Sequence, residues 1–291
     1  MASSTIRKVQ LPLFFVLAYA ITWAVQVPAY LFVAVRGESL TNEVNLLHFL
    51  DLFRGVLDPE FAVVFLLVSF SFGPTLAGLI VIALTRGTAG LRELAYRLTK
   101  VRIPWHWVAA ILLIPVLLAI ASLAVAFVLG GFQPLHYNPL VPLILAGPFL
   151  VHLLIFTGLA EEIGWRGYAL PELLRRHTAE KASWILGLAW GLWHLPSNLL
   201  LPYLRGQLTI PMAIAVLLGL TFGAVGWTIV LTWLYINTGS LFWMVVLHGY
   251  YNWVHSYLVI SSGSYTAQVA AGVLPWAIAA YLLKKNDPAT L

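Results

Sequence analysis

The sequence predicts an all-α protein that crosses a lipid bilayer eight times, with both termini in the cytoplasm. Three observations lead there. Of 291 residues, 61% are hydrophobic and only 9% are charged, too few charges to cover a water-facing surface. The mean hydropathy of +0.90 agrees. The apolar residues gather into eight runs, most of them near the ~20 residues that a spanning helix needs. Twelve Trp and twelve Tyr suit two membrane interfaces, where amphipathic rings settle at headgroup level.

The runs cover residues 11–35, 61–84, 105–129, 140–160, 184–201, 212–236, 241–260 and 267–283. Backbone groups in hydrocarbon must be satisfied internally, and runs this long favour helices over the alternating ten-residue strands of a barrel. The first run follows Arg7 and Lys8 in the manner of a signal peptide. It continues well beyond the roughly 7–15 residues of a secretory core, which predicts a retained spanning helix. Residues 36–60 carry five acids and two bases, a polar loop with room for a short surface helix. The 130–139 loop is nearly uncharged.

Basic residues set the orientation. Arg86, Arg92, Arg97, Lys100 and Arg102 fall in the expected loop 86–104. Arg166, Arg175, Arg176 and Lys181 fall in the expected loop 161–181, and Lys284 and Lys285 in the tail. With eight alternating helices all of these share a side with Arg7 and Lys8, which the positive-inside rule makes cytoplasmic. Arg205 is an exception. The net charge of +5 therefore reads as an orientation signal, and no nucleic-acid partner is expected. No repeat, low-complexity tract or composition boundary divides the chain, so residues 1–291 are expected to form one membrane domain.

With no cysteine, disulfides, a thiol nucleophile and thiolate metal sites are excluded. Three polar clusters interrupt or end the apolar runs. The first is Glu161 and Glu162 with Arg166; every other Asp and Glu is expected in a loop or tail. The second is His194 with Asn198 in the fifth run, and the third is His248 with Asn252 in the seventh. A carboxylate at mid-membrane costs about 2.5–3.5 kcal/mol on insertion scales, which marks an acidic pair there as a functional candidate. The simpler reading is an ion pair, because Arg166 follows Glu162 by one helical turn. Two adjacent acids, however, exceed what one Arg needs. Each His and Asn, four apart, shares a helix face. Singly, such pairs also serve as interhelical glue, or mend the bend that Pro196 puts into the fifth run.

The remaining histidines carry less. His48, His106, His136 and His177 fall in loops or at interfaces, and His152 is expected to face away from Glu161. His255 shares the face of His248 and is left outside the site.

Together, these groups suit water-mediated hydrolysis of an amide. A Glu takes a proton from water and a His holds that water and later protonates the leaving amine. A second His with an Asn donates to the tetrahedral oxyanion. The same residues allow a rival arrangement in which Glu161, His194 and His248 hold zinc with an open position. Residue spacing leaves the two open. It also leaves a difficulty of depth: counting in from the run ends at 1.5 Å per residue puts His248 about 10 Å deep and His194 about 17 Å deep, with Glu161 near the surface. Either the fourth helix sits deeper than its apolar boundary, or helices tilt around a water-filled cavity.

These three motifs resemble those of the CPBP (Abi) family of intramembrane proteases, which includes the type II CAAX prenyl endopeptidases. The family pattern is Glu-Glu-x-x-x-Arg, then Phe-x-x-x-His, then His-x-x-x-Asn on consecutive membrane helices. Glu161, Glu162 and Arg166 match the first, and His248 and Asn252 the third. The second departs, with Trp190 where the pattern has Phe before His194. The resemblance covers roughly residues 140–260. It implies a multi-pass protein of a prokaryotic cytoplasmic membrane that cuts a peptide or protein substrate, lipidated or membrane-inserted, amid membrane lipids. It also implies that Glu161 and His194 activate water, that His248 and Asn252 bind the oxyanion, that Glu162 and Arg166 steady Glu161, and that Asn198 supports. A glutamate mechanism without cofactor is expected, with zinc as the alternative. A non-catalytic immunity or peptide-binding protein and a proton-relay transporter are the other classes to be distinguished.

Overall fold

A computed structural model describes residues 4–36, 51, 54–56, 59–131, 139 and 141–287, which are helical wherever they are regular, with no strand among them. Most of the expected acidic loop 36–60 and of the loop 130–139, with His48 and His136, lies outside the described residues. The helices are α1 (Ser4–Arg36), α2 (Pro59–Val68), α3 (Gly73–Leu98), α4 (Trp105–Val128) and a continuous helical rod α5 (Leu143–Leu174). Then come α6 (Ala179–Trp193), α7 (Ile210–Thr238), α8 (Leu241–Val254), α9 (Tyr265–Val273) and α10 (Pro275–Lys285).

Among the described residues, six stretches are long and apolar enough to cross a membrane: Val9–Arg36, Gly73–Leu98, Trp105–Val128, Leu143–Leu174, Ile210–Thr238 and Tyr265–Lys285, the last combining α9 and α10. This is a multi-pass membrane architecture. The expected fifth and seventh spans are helical but are not among the six. α6 has 15 residues and stops before His194; α8 has 14 and continues through a π segment, His255–Val259. These two helices carry the motif histidines, so the polar groups that mark them also interrupt their hydropathy.

Three sequence expectations need correction. The second run is not one helix: it breaks between Val68 and Gly73. Pro74 falls in the first turn of α3, where its missing N–H costs nothing. Buried Gln26 of α1 donates to the carbonyls of Val68 (3.3 Å) and Phe70 (3.0 Å), satisfying groups that the break leaves open. The expected loop 86–104 is helix as far as Leu98, with non-helical Gly87 (φ 59°) inside it.

The third correction matters most for the site. Residues 161–174 are not loop but the second half of α5, and Glu161, Glu162 and Arg166 are buried. Glu161 therefore lies roughly 20 Å from the rod's end, close to the roughly 22 Å between the start of α6 and His194. Counted this way, Glu161 and His194 lie at similar distances from adjoining helix ends, because the fourth helix continues beyond its apolar boundary. It can do so because its charges are matched by partners. Glu172, expected in a loop, is also buried. It accepts from Gln10 (2.7 Å) and Arg175 (3.0 Å) and pairs with Arg86 of α3.

Helix association in lipid depends on close packing and polar contacts, since lipid is as apolar as the side chains. α5 and α8 approach closely because Gly158 lies on the Val245 carbonyl and Gly249 on the backbone of Leu154; a Cβ at either would strike main chain. Glu162, one turn beyond Gly158, thus comes opposite His248. α6 lies against α7 at Val225 and Thr221 in the same way. Phe14, Trp165, Tyr168 and Trp193 fill the interior between α1, α5 and α6.

Candidate active site

Two π segments of α5, Leu154–Leu159 and Trp165–Ala169, bracket the five-residue α segment Ala160–Gly164 that holds both acids. A π segment widens the helix by one residue per turn, re-aims the side chains beside it and recurs at functional sites. Thr75 of α3 donates to the Leu159 carbonyl (3.0 Å), so this irregular backbone is tied from a neighbouring helix.

The Glu162 carboxylate joins two helices. Its Oε1 accepts from Arg166 Nη1 at 2.8 Å and faces His248 Nδ1 at 2.8 Å. Glu162 and Arg166 are fully buried, and His248 is buried. Arg166 also donates to the Thr228 hydroxyl of α7 (3.4 Å) and stacks on the Trp190 ring, 4.8 Å from its centroid. A desolvated cation–π contact of this kind contributes about 2 kcal/mol. Glu162 Oε2 and Arg166 Nε are buried without a partner among the described residues.

Glu161 is held from α6. The Trp190 indole N–H donates to Glu161 Oε2 at 2.7 Å, and the Trp190 carbonyl lies 2.8 Å from His194 Nδ1. A carbonyl only accepts, so His194 carries its proton on Nδ1 and its neutral ring has the lone pair on Nε2. Trp190 meets the rings of His194 and His248 edge-on, each at 5.5 Å.

The structure therefore brings Glu161, Glu162, Arg166, His194 and His248 into one cluster drawn from α5, α6 and α8. Asn252 lies one turn beyond His248 on the same face of α8, partly buried, and its side chain makes no hydrogen bond among the described residues. Asn198 is not brought in. It is exposed, and its amide donates to the His194 carbonyl (3.2 Å) and to Ser197 (3.3 Å). It mends the backbone where α6 ends: His194 is the capping residue (ψ 2°), and Pro196 opens the π segment Pro196–Leu200. His152 and His255 take no part; their rings stack on Phe156 (4.7 Å) and Tyr251 (5.8 Å).

Sequence reasoning missed three residues. In the sequence Trp190 stands only as a departure from the pattern's Phe, although an indole offers the N–H that a Phe lacks. Thr228 is a buried hydroxyl in an apolar run, a signal too common to single out. Glu172 was read as a loop residue because charges crowd beyond it.

Among the described residues no three His, Asp or Glu side chains are grouped so as to hold a metal ion. Both Nδ1 atoms face oxygen partners, and one oxygen of Glu161 is held by Trp190. An apolar cleft of 280 Å³ lies elsewhere, lined by Val116, Leu143, Ala146, Tyr250, Trp253 and Tyr257. At 100° per residue, Tyr250 and Trp253 project from the face of α8 opposite His248. None of the clustered acids or histidines lines this cleft.

Comparison with known proteins adds two findings. Residues 143–254 match a family model described as type II CAAX prenyl endopeptidase Rce1-like. A 47-residue stretch, 16% of this chain, is 45% identical to CAAX prenyl protease 2 of Methanococcus maripaludis. The match spans only 17% of that protein's length. The matched interval contains Glu161, Glu162, Arg166, His194, His248 and Asn252. Over residues 143–254, this chain is similar to the Rce1-like type II CAAX prenyl endopeptidase domain, and that is the family its motifs resemble.

Proposed function

We propose that this protein is an intramembrane endopeptidase that hydrolyses a peptide bond with water and without a metal. One observation carries the reading: two carboxylates, one arginine and two histidines from three helices meet in two hydrogen-bonded groups, Glu162–Arg166–His248 and Glu161–Trp190–His194, which join where the Trp190 ring meets Arg166 and His248. Buried charge is retained where it is matched or used, and this cluster holds more acid than its arginine matches.

In this reading His194 Nε2 accepts from the attacking water and holds it while Glu161 takes the proton the water loses; that proton passes from Glu161 to His194 Nε2 and on to the leaving amine as the C–N bond breaks. His248, as an imidazolium whose Nδ1–H donates to Glu162 Oε1, donates from Nε2 toward the tetrahedral oxyanion, with the Asn252 amide as second donor. Glu162 orients His248 through Nδ1 while Arg166 balances its charge. Asn198 acts only by shaping the backbone after His194. The substrate is a peptide or protein segment that reaches the site from the membrane or its cytoplasmic face, lipidated or membrane-inserted. The short α6 and α8 complete eight spans with both termini in the cytoplasm of a prokaryote. The interactions of Gln10, Arg86, Lys100 and Arg175 then lie at the cytoplasmic end.

The test is cleavage of membrane-derived peptides by detergent-purified protein with no ion gradient. Turnover that persists in a chelator and disappears in Glu161→Gln is the expected result. Turnover silenced by chelator and restored by zinc would replace the glutamate mechanism with a metal one. Peptide binding without cleavage would make the protein a binding module, and activity only under a proton gradient would make it a transporter.

A further inference from the structure

We infer that Trp190 is a positioning residue that aims the general base and its histidine together. The inference rests on the functional reading above. Three parts of one residue face three members of the cluster. Its indole N–H donates to Glu161 Oε2 (2.7 Å), its main-chain carbonyl accepts from His194 Nδ1 (2.8 Å), and its ring face carries the Arg166 guanidinium at 4.8 Å. Its ring edge also touches His248.

The geometry has a chemical consequence. The N–H occupies one oxygen of Glu161 and fixes the plane of the carboxylate, leaving Oε1 to meet water. The carbonyl fixes the His194 tautomer, leaving Nε2 to meet the same water. Because both constraints come from one residue, the two proton-handling atoms keep a constant relation even if α6 shifts against α5. Trp190 is itself fixed on both sides, by Gly187 and Gly191 against α7 and by Arg166 on its ring. A phenyl ring at this position would keep the carbonyl and the ring face but leave Glu161 without its donor, so the indole N–H is what Trp190 adds over the pattern's Phe.

The test replaces Trp190 with Phe and, separately, with β-(3-benzothienyl)alanine, which keeps the bicyclic shape and removes only the N–H. Wild type and Glu161→Gln are assayed alongside. Losing a hydrogen bond to a charged group is expected to lower kcat about ten- to a hundredfold. KM and the thermal midpoint in detergent should stay unchanged in the benzothienyl protein, whereas a merely structural role would move the midpoint and spare kcat. If Trp190→Phe does not fold, the benzothienyl protein decides alone. A benzothienyl protein with wild-type kcat overturns the assignment of Trp190 and leaves the protease reading intact. A wild type that never cleaves, or a Glu161→Gln protein that does, removes both.

Discussion

α5 buries carboxylates at two places, Glu161–Glu162 and Glu172, and they are built differently. Glu172 is matched in full, by Arg86, by Arg175 and by the amide of Gln10. Its partners come from α1, α3 and the end of α5 itself, and no histidine among the described residues reaches it. The upper centre has two acids, one arginine and two histidines, each histidine with a second nitrogen that bonds nothing described. Burial alone therefore does not mark a site. An excess of acid beside groups that can carry protons does, because an unmatched buried charge is too costly to retain without use.

Mutation can break this contrast or sharpen it. The largest expected effect is on activity. Glu161→Gln or His194→Ala should lower cleavage by about 10²–10⁴-fold, the usual contribution of a positioned acid or base. Glu172→Gln should keep its cleavage rate and lose thermal stability instead. Initial rates paired with melting curves in detergent would read both; equal losses of activity at the two centres would erase the distinction.

Arg166→Ala leaves Glu162 buried and uncompensated. A loss of about 3–5 kcal/mol in stability is expected, along with lower activity as Glu162 and His248 lose their alignment. Unchanged melting would mean that the upper centre is hydrated enough not to need its arginine. Asn252→Ala should cost about 10²–10³ in kcat, typical of one oxyanion donor, with little change in melting. Asn198→Ala should cost far less, because that amide is exposed and bonds only its own turn. The smallest effect belongs to Arg175→Ala. Its side chain is 60% exposed, so solvent screens the pair and about 1 kcal/mol or less is expected.

Much of the fold was legible in the sequence because lipid imposes one simple demand, apolar length. Six of the eight apolar runs correspond to helices that meet it. The residues proposed for the site were legible as candidates because their spacing puts His248 and Asn252 on one face, and because two acids in an apolar setting need a reason. The helix ends were not legible. The break before Gly73 depends on Gln26 of another helix supplying donors. Glu172 depends on Gln10 and Arg86, far away in the chain, to make burial affordable.

The sequence by itself determined the membrane class, the helical content, and which acids and histidines could act together, since these follow from composition and local periodicity. Only the tertiary structure decided how deep they sit and how they are aimed. α5 runs through what hydropathy marks as its end, because partners on neighbouring helices neutralise its charges. Its π segments turn both acids toward α6 and α8. Trp190 became a donor to Glu161 only once α6 packed beside α5. Hydropathy records the cost of placing each side chain in lipid, but the partner that offsets the cost is chosen by contacts between distant parts of the chain.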